Sequence, residues 1–188
     1  MQKTEAILIG RQRQTETSLL VEWCCAEFGI FKTIAKGALR PKSPFAGVLD
    51  LFVTCDLRFV PGKSSDLGIL SEARWTNPRL GLRTSYGRLL AATYLVKLVE
   101  QVAERHAPLP EVQPLLVKAL DYLAEKDPNP ALVHRFEQRL AEALGIVAEG
   151  EKSLAAEAIA DVFHQRLPVQ RRQLFDWMKE KSRANEKP

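Results

Sequence analysis

Ile34-Ala35-Lys36-Gly37-Ala38-Leu39-Arg40-Pro41-Lys42-Ser43-Pro44-Phe45-Ala46-Gly47 carries a strand-like run into a basic loop, and the rest of the chain reads outward from it. Phe31, Thr33 and Ala35 alternate with Lys32 and Ile34, which predicts a strand ending at Gly37. Three cations follow within seven residues. Pro41 and Pro44 each remove a backbone donor and fix φ, so Lys36, Arg40 and Lys42 fall on a stiff, non-helical loop with no acidic neighbour in sequence. Such a loop suits a polyanion. It also suits a solvated connector whose cations serve only solubility.

The flanking sequence predicts strands. Apolar runs cover 5–10 and 17–25, Gly29 breaks the second, and 31–36 makes a third. The longest alternation is 49–60, with Leu51, Val53, Cys55, Leu57 and Phe59 on one face; 61–65 is rich in turn residues and 67–75 returns as a fifth strand. Five short strands favour a small closed barrel of the OB type, because closure removes the exposed edges so small a sheet would carry.

The pattern changes at Asn77-Pro78-Arg79, after which apolar residues recur at three- and four-residue spacing. Thr84 or Ser85 caps a first helix with one stripe, Tyr86, Leu89, Leu90, Tyr94, Leu98 and Val102. Pro110 opens a second, which stops at Asp127-Pro128. Asn129-Pro130 opens a third, carrying Val133, Phe136, Leu140 and Leu144 to Gly145. Ser153 caps a fourth, and Pro168 opens a fifth with Leu174, Phe175 and Met178 on one face and a tail that frays from Ser182. The expected class is α+β, with an OB-fold barrel over 1–79 and an all-α helical domain over 80–188.

Net charge is +4, with a pI near 9.0. Residues 1–83 hold 12 Lys/Arg against 8 Asp/Glu, 84–160 hold 8 against 11, and 161–188 hold 7 against 4, so both ends are positive. That asymmetry hints at a nucleic-acid face. Cys24, Cys25 and Cys55 lie in apolar runs without C-x-x-C spacing, and His106, His134 and His164 lie far apart, so neither a zinc site nor a zinc module is expected. No run reaches the length of a membrane span and no charged-then-apolar leader precedes the first strand, which predicts a cytoplasmic, reduced protein. There is no phosphate loop, nucleophile elbow or His-Glu metal motif, and the carboxylates of the middle region read as solvated helix exteriors. Neither an enzyme nor a cofactor is expected.

The residues resemble a known family. Thr4-Glu5-Ala6-Ile7-Leu8, Phe28-Gly29, the run from Ala35 to Ser43, Phe45-Ala46-Gly47 with Leu49, and Ser65-Asp66-Leu67-Gly68-Ile69-Leu70-Ser71-Glu72-Ala73 are similar in order and spacing to the bacterial RecO family of recombination mediators. The resemblance runs from Lys3 to Arg83 and continues through Phe136-Glu137, Leu140 and Leu144-Gly145. It implies an OB barrel and a helical domain that bind single- and double-stranded DNA, anneal complementary strands and help replace single-strand-binding protein with recombinase near the nucleoid. It also implies a RecR-type partner and contact with the acidic, apolar tail of single-strand-binding protein. Carried over by position, Lys36, Arg40 and Lys42 match the family's basic loop and Gly37 its turn. Leu39 stands where a second cation is common, the Tyr-Gly often found near Gln14-Thr15 is missing, and the four-cysteine module of many members is absent. The chain is also short for the family.

Arg11, Arg13, Lys63 and Arg74, at strand ends or loops, extend the candidate basic face. Phe31, Phe45 and Trp75 are candidates for stacking on bases; Phe31 and Phe45 also read as barrel plugs. A second cluster, Arg166, Arg171, Arg172, Lys179, Lys181 and Arg183, offers another strand-holding site, and annealing through both basic ends is the corresponding expectation. The rival classes are an RNA-binding OB protein and a protein-interaction module.

Overall fold

A computed structural model of the chain describes residues 1–62, 67–104, 107–150 and 154–185. Lys63, Ser64, Ser65, Asp66, His106 and Ser153, all used in reading the sequence, lie outside the described residues. The chain forms two compact units: Met1–Arg79 with Ala103–Gln113, and Leu80–Val102 with the residues from Pro114 onward.

The first unit is a closed barrel of five strands, β1 (Gln2–Arg13), β2 (Leu19–Cys25), β3 (Gly29–Ala35), β4 (Thr54–Val60) and β5 (Leu67–Asn77), in the order β1-β2-β3-β5-β4. The length of β1 makes closure possible. Its first half, Gln2 to Ile7, pairs with β4, and the stretch from Ile7 to Arg13 pairs with β2. The register shifts between Leu8 and Gly10, where a bulge lets one strand turn from one partner to the other. The strand is longer than its apolar run because its polar ends are held by ladder bonds rather than by burial. β3 and β5 run parallel, and a side chain at Gly68 would approach the Val60 carbonyl to 3.0 Å.

Trp23, Phe31, Val53, Leu57 and Phe59 fill the interior. The Trp23 indole N–H donates to Thr33 Oγ1 at 2.8 Å, so this polar group keeps a partner inside the barrel. Phe31 stacks on Phe59 at 4.7 Å, and Phe28 meets both rings edge-on. Burial along β3 follows the predicted alternation: Phe31, Thr33 and Ala35 face in. The stretch 49–60 departs from it, since only Thr54–Val60 is strand. Phe52 takes a left-handed φ of 68°, donates its N–H to Leu8 O at 2.8 Å, and has its carbonyl held by Arg79 Nη1 at 2.8 Å. The chain therefore turns in beside the β1 bulge while Val53, Cys55, Leu57 and Phe59 keep their inward face.

In the second unit a 3-10 turn (Leu80–Thr84) leads into α1 (Tyr86–Val102), followed by α2 (Val112–Glu125), which belongs to this unit from Pro114 onward, α3 (Pro130–Ala143), α4 (Ala155–Val162) and α5 (Gln170–Asn185). Asn129 caps α3 as predicted, its Oδ1 accepting the Leu132 N–H at 2.9 Å, and Gly145 follows with φ 68°. α1 does not carry the single stripe predicted. Tyr86 is exposed, while Gly87, Leu90, Ala91, Leu95, Leu98 and Val99 are buried around much of its circumference. Small residues allow this: a side chain at Gly87 would fall 2.2 Å from the Trp177 ring. α5 holds its helix through Asn185 instead of fraying from Ser182. The N-cap position of α4 is Leu154.

One acidic residue overturns the reading of the middle carboxylates as exteriors. Glu137 is buried in the helical unit and fully partnered, accepting the Tyr94 hydroxyl at 2.6 Å and Arg171 Nε at 2.7 Å. The three cysteines are buried thiols, and burial pushes the Cys55 thiol up to about 12. Among the described residues no helix is long and apolar enough to cross a membrane, and no three metal-binding side chains lie together.

Candidate nucleic-acid interface

Residues 36–53, between β3 and β4, form an ordered chain of tight turns. The N–H groups of Ala38, Arg40, Ser43, Ala46 and Val48 donate to the carbonyls of Ala35, Gly37, Arg40, Ser43 and Phe45 at 3.0–3.3 Å. Pro41 and Pro44 fall in the gaps of this series, where no donor is called for, so they stiffen the path without breaking it. Ala38, Phe45 and Leu49 turn into the barrel core and anchor the loop from below. Gly37, with φ 69°, starts the turn; its N–H lies 3.4 Å from Ser18 Oγ, and the Leu39 N–H donates to Thr17 O at 2.9 Å.

With three residues of the loop committed to the core, Lys36, Arg40 and Lys42 are left exposed on its outer side. Among the described residues none of the three has a carboxylate within 4.0 Å; their charges face water on a path fixed by backbone hydrogen bonds. That geometry suits phosphates, which need cations held in place but not neutralised beforehand.

The structure gathers most of the other predicted cations around this loop. Arg11 Nη1 donates to Leu49 O at 2.6 Å and Nη2 lies 3.4 Å from Asp50, so Arg11 fastens the far end of the loop and shares part of its charge with Asp50. Arg13 is exposed and donates to the carbonyls of Thr15 and Glu16, shaping the β1–β2 turn whose Thr17 and Ser18 meet the loop's start. These acceptors are neutral, so Arg13 keeps its full charge. Arg74 is exposed on β5 and lines a depression of about 470 Å³ with Lys3, Asp56, Arg58 and Glu72, bounded on the loop side by Pro44 and Phe45; Arg58 Nε lies 3.5 Å from Glu72, so acidic groups offset part of the charge there. Lys63 lies outside the described residues. Lys3 and Arg58 were not singled out in the sequence, because their adjacency follows from the β1–β4 register, Lys3 opposite Arg58. The alternation of β4, which turns Arg58 outward, was the available signal.

Two aromatic candidates need correction. Phe31 is 4% exposed and stacked inside the barrel, and Phe45 is 7% exposed in the same core. Neither ring offers a face to a base; both act as plugs. Trp75 differs, being 42% exposed, with its indole N–H donating to Val48 O at 2.6 Å.

The C-terminal basic cluster is partly spent on packing. Arg171 is bidentate to Glu137, and Lys181 Nζ hydrogen-bonds Asp127, which also accepts Arg88 Nε at 2.8 Å. Arg166, Arg172, Lys179 and Arg183 remain exposed. On α5 the last three share one face by helical spacing, yet Asp176 and Glu180 fall among them and dilute the field. The contrast with 36–42, which holds three cations and no acid, is plain.

Residues 1–79 match the family model described as Recombination protein O N terminal, and residues 83–162 match Recombination protein O C terminal. The DNA repair protein RecO of Nitrosospira multiformis is 33% identical over 130 residues, 69% of this chain and 52% of the relative. That of Chromobacterium violaceum is 32% identical over 159 residues, 84% of this chain and 63% of the relative. The chain thus spans less than two thirds of the length of these relatives. With both family models matched in order, on a five-stranded barrel and a helical unit, the chain belongs to the RecO family.

Proposed function

We propose that the β3–β4 loop docks the backbone of DNA without regard to sequence, and that the chain uses this surface in DNA repair and recombination. The observation that carries the reading is the loop itself: three exposed cations, without a carboxylate partner among the described residues, on a path pinned to the barrel core. The names of the relatives, DNA repair protein RecO, support the same role. The barrel binds single- and double-stranded DNA through counterion release, and Arg13, Arg74 and in part Arg11 widen the footprint. Two strands held side by side on such a surface repel each other less and meet at raised local concentration, so complementary strands anneal without nucleotide hydrolysis. In the cell the chain acts with a RecR-type partner and the tail of single-strand-binding protein to bring recombinase onto coated strands.

The test is titration of single-stranded DNA, and of RNA of the same sequence, over a range of salt. Replacing Lys36, Arg40 and Lys42 together by Gln should reduce the log–log salt slope by about 2, at roughly 0.7 per lost phosphate contact. An unchanged slope in a folded triple variant overturns the assignment, and a marked preference for RNA turns it toward the RNA-binding class.

A further inference from the structure

We propose that Trp75 is the base-stacking platform of this interface, which makes the surface respond to unpaired bases as well as to phosphates. The inference rests on the reading of the loop as a DNA-backbone site and adds to it the chemistry that separates single strands from duplex. Three features carry it.

Trp75 is 42% exposed, while Trp23 is fully buried in the barrel and Trp177 lies against Gly87 in the helical unit. A tryptophan face left in water forfeits much of the free energy its burial would provide. Its polar edge is already occupied: the indole N–H is held by Val48 O at 2.6 Å. The ring is therefore oriented, and what it presents outward is π surface. Finally, the chain leading to Val48 is stripped of bulk. Ala46 and Gly47 are both exposed, and a side chain at Gly47 would meet no atom within 4 Å. The left-handed φ of Gly47, 73°, keeps larger residues out of that position.

Val48 belongs to the same run of turns as Arg40 and Ser43, so one hydrogen bond ties the ring to the segment that carries the cations. A strand whose phosphates lie along the loop thus has an oriented aromatic face within the same structural unit. In a duplex the base faces are stacked on one another and closed to the ring, so the stacking gain falls to single-stranded nucleic acid alone.

The test compares a thymidine oligomer with an abasic oligomer of the same length and charge, on the intact chain and on Trp75→Phe and Trp75→Leu. Both variants lose the bond to Val48, so the difference between them isolates the ring. Trp75→Leu should bind the thymidine oligomer about 10-fold more weakly than the intact chain, in the range of one stacked base, with Trp75→Phe close to the intact value. Affinity for the abasic oligomer and its salt slope should stay the same in all three. If the intact chain binds the two oligomers equally, or if both variants weaken both oligomers alike, the stacking role is wrong and the loop reading survives. If neither oligomer binds with a salt-dependent affinity, the loop reading falls and the stacking role falls with it.

Discussion

Glu137 shows how much one side chain decides. A carboxylate this deep is costly unless every lone pair is used, and here the Tyr94 hydroxyl, both arms of Arg171 and, at 3.4 Å, His134 Nδ1 surround it. Burial and the neighbouring Glu137 charge push the Tyr94 hydroxyl well above its usual range, so Tyr94 remains a donor throughout the stable pH range. Glu137→Ala strands a half-buried guanidinium and a buried hydroxyl together; the expected cost is about 3 kcal/mol, read as a lower denaturant midpoint. A midpoint within error of the parent would mean that water replaces the carboxylate at no cost. In the barrel, Gly29 has φ 64°, and a side chain there would fall 1.9 Å from the Ala107 carbonyl. Gly29→Ala combines a strained backbone with a clash against backbone, and should destabilise by about 3 kcal/mol.

α5 is an amphipathic helix whose seat is set by both packing and charge. Leu174 and Met178 are buried, Trp177 lies on Gly87, and Lys181 sits over the Trp177 ring while hydrogen-bonding Asp127. Hydrogen bonds from Lys181 and then Arg88 hold the Asp127 carboxyl below its ordinary value of 3.8. A carboxyl depressed on folding stabilises the native state above its unfolded pKa, and that contribution is lost as pH falls below about 3.8. Because the side chain is 38% exposed, solvent screening limits the effect to under about 1 kcal/mol. Urea midpoints measured from pH 6 down to pH 3 should fall more for the parent than for Asp127→Asn; parallel curves would show that the bridge contributes nothing. Packing carries more weight. Leu140, fully buried on α3, should cost about 2–5 kcal/mol on truncation to Ala.

At the scale of the molecule, the proposed function turns on which basic end would meet DNA. The segment 36–42 displays three cations and holds no acid, whereas the exposed face of α5 interleaves Arg172, Lys179 and Arg183 with Asp176 and Glu180. The expected outcome is that replacing Lys36, Arg40 and Lys42 by Gln slows annealing of complementary strands several-fold, while the same change at Arg172, Lys179 and Arg183 leaves the rate within about twofold, in line with the number of phosphate contacts each removes. Equal slowing by both sets would restore a two-site scheme. Substitution is the sound comparison here. Truncation after Leu167 would also remove buried Leu174 and Met178 and the partners of Glu137 and Asp127, and so would damage the helical unit itself.

What could be read from the order of residues was local. Alternation at 31–35 and at 53–59 marks inward faces because a strand repeats every two residues, and Asn129-Pro130 and Gly145 bracket α3 because caps act within one turn. Five such strands and five helices were enough for an OB barrel and a helical unit, and the loop's cations were visible because prolines excluded a helix there. The remainder depended on partners far away in the chain. Tyr94 and Arg171 meet Glu137 across 43 and 34 residues, and Lys3 stands beside Arg58 only once β1 bridges β2 and β4. Phe31 and Phe45 could be read for the surface or, slightly better, for the core, and barrel closure left the first stacked on Phe59 and the second under the loop. Periodicity records which face of an element avoids water. Which side chain that face then meets, and which aromatic is left outside, depends on strand register and helix docking, and those minimise the free energy of the whole chain at once.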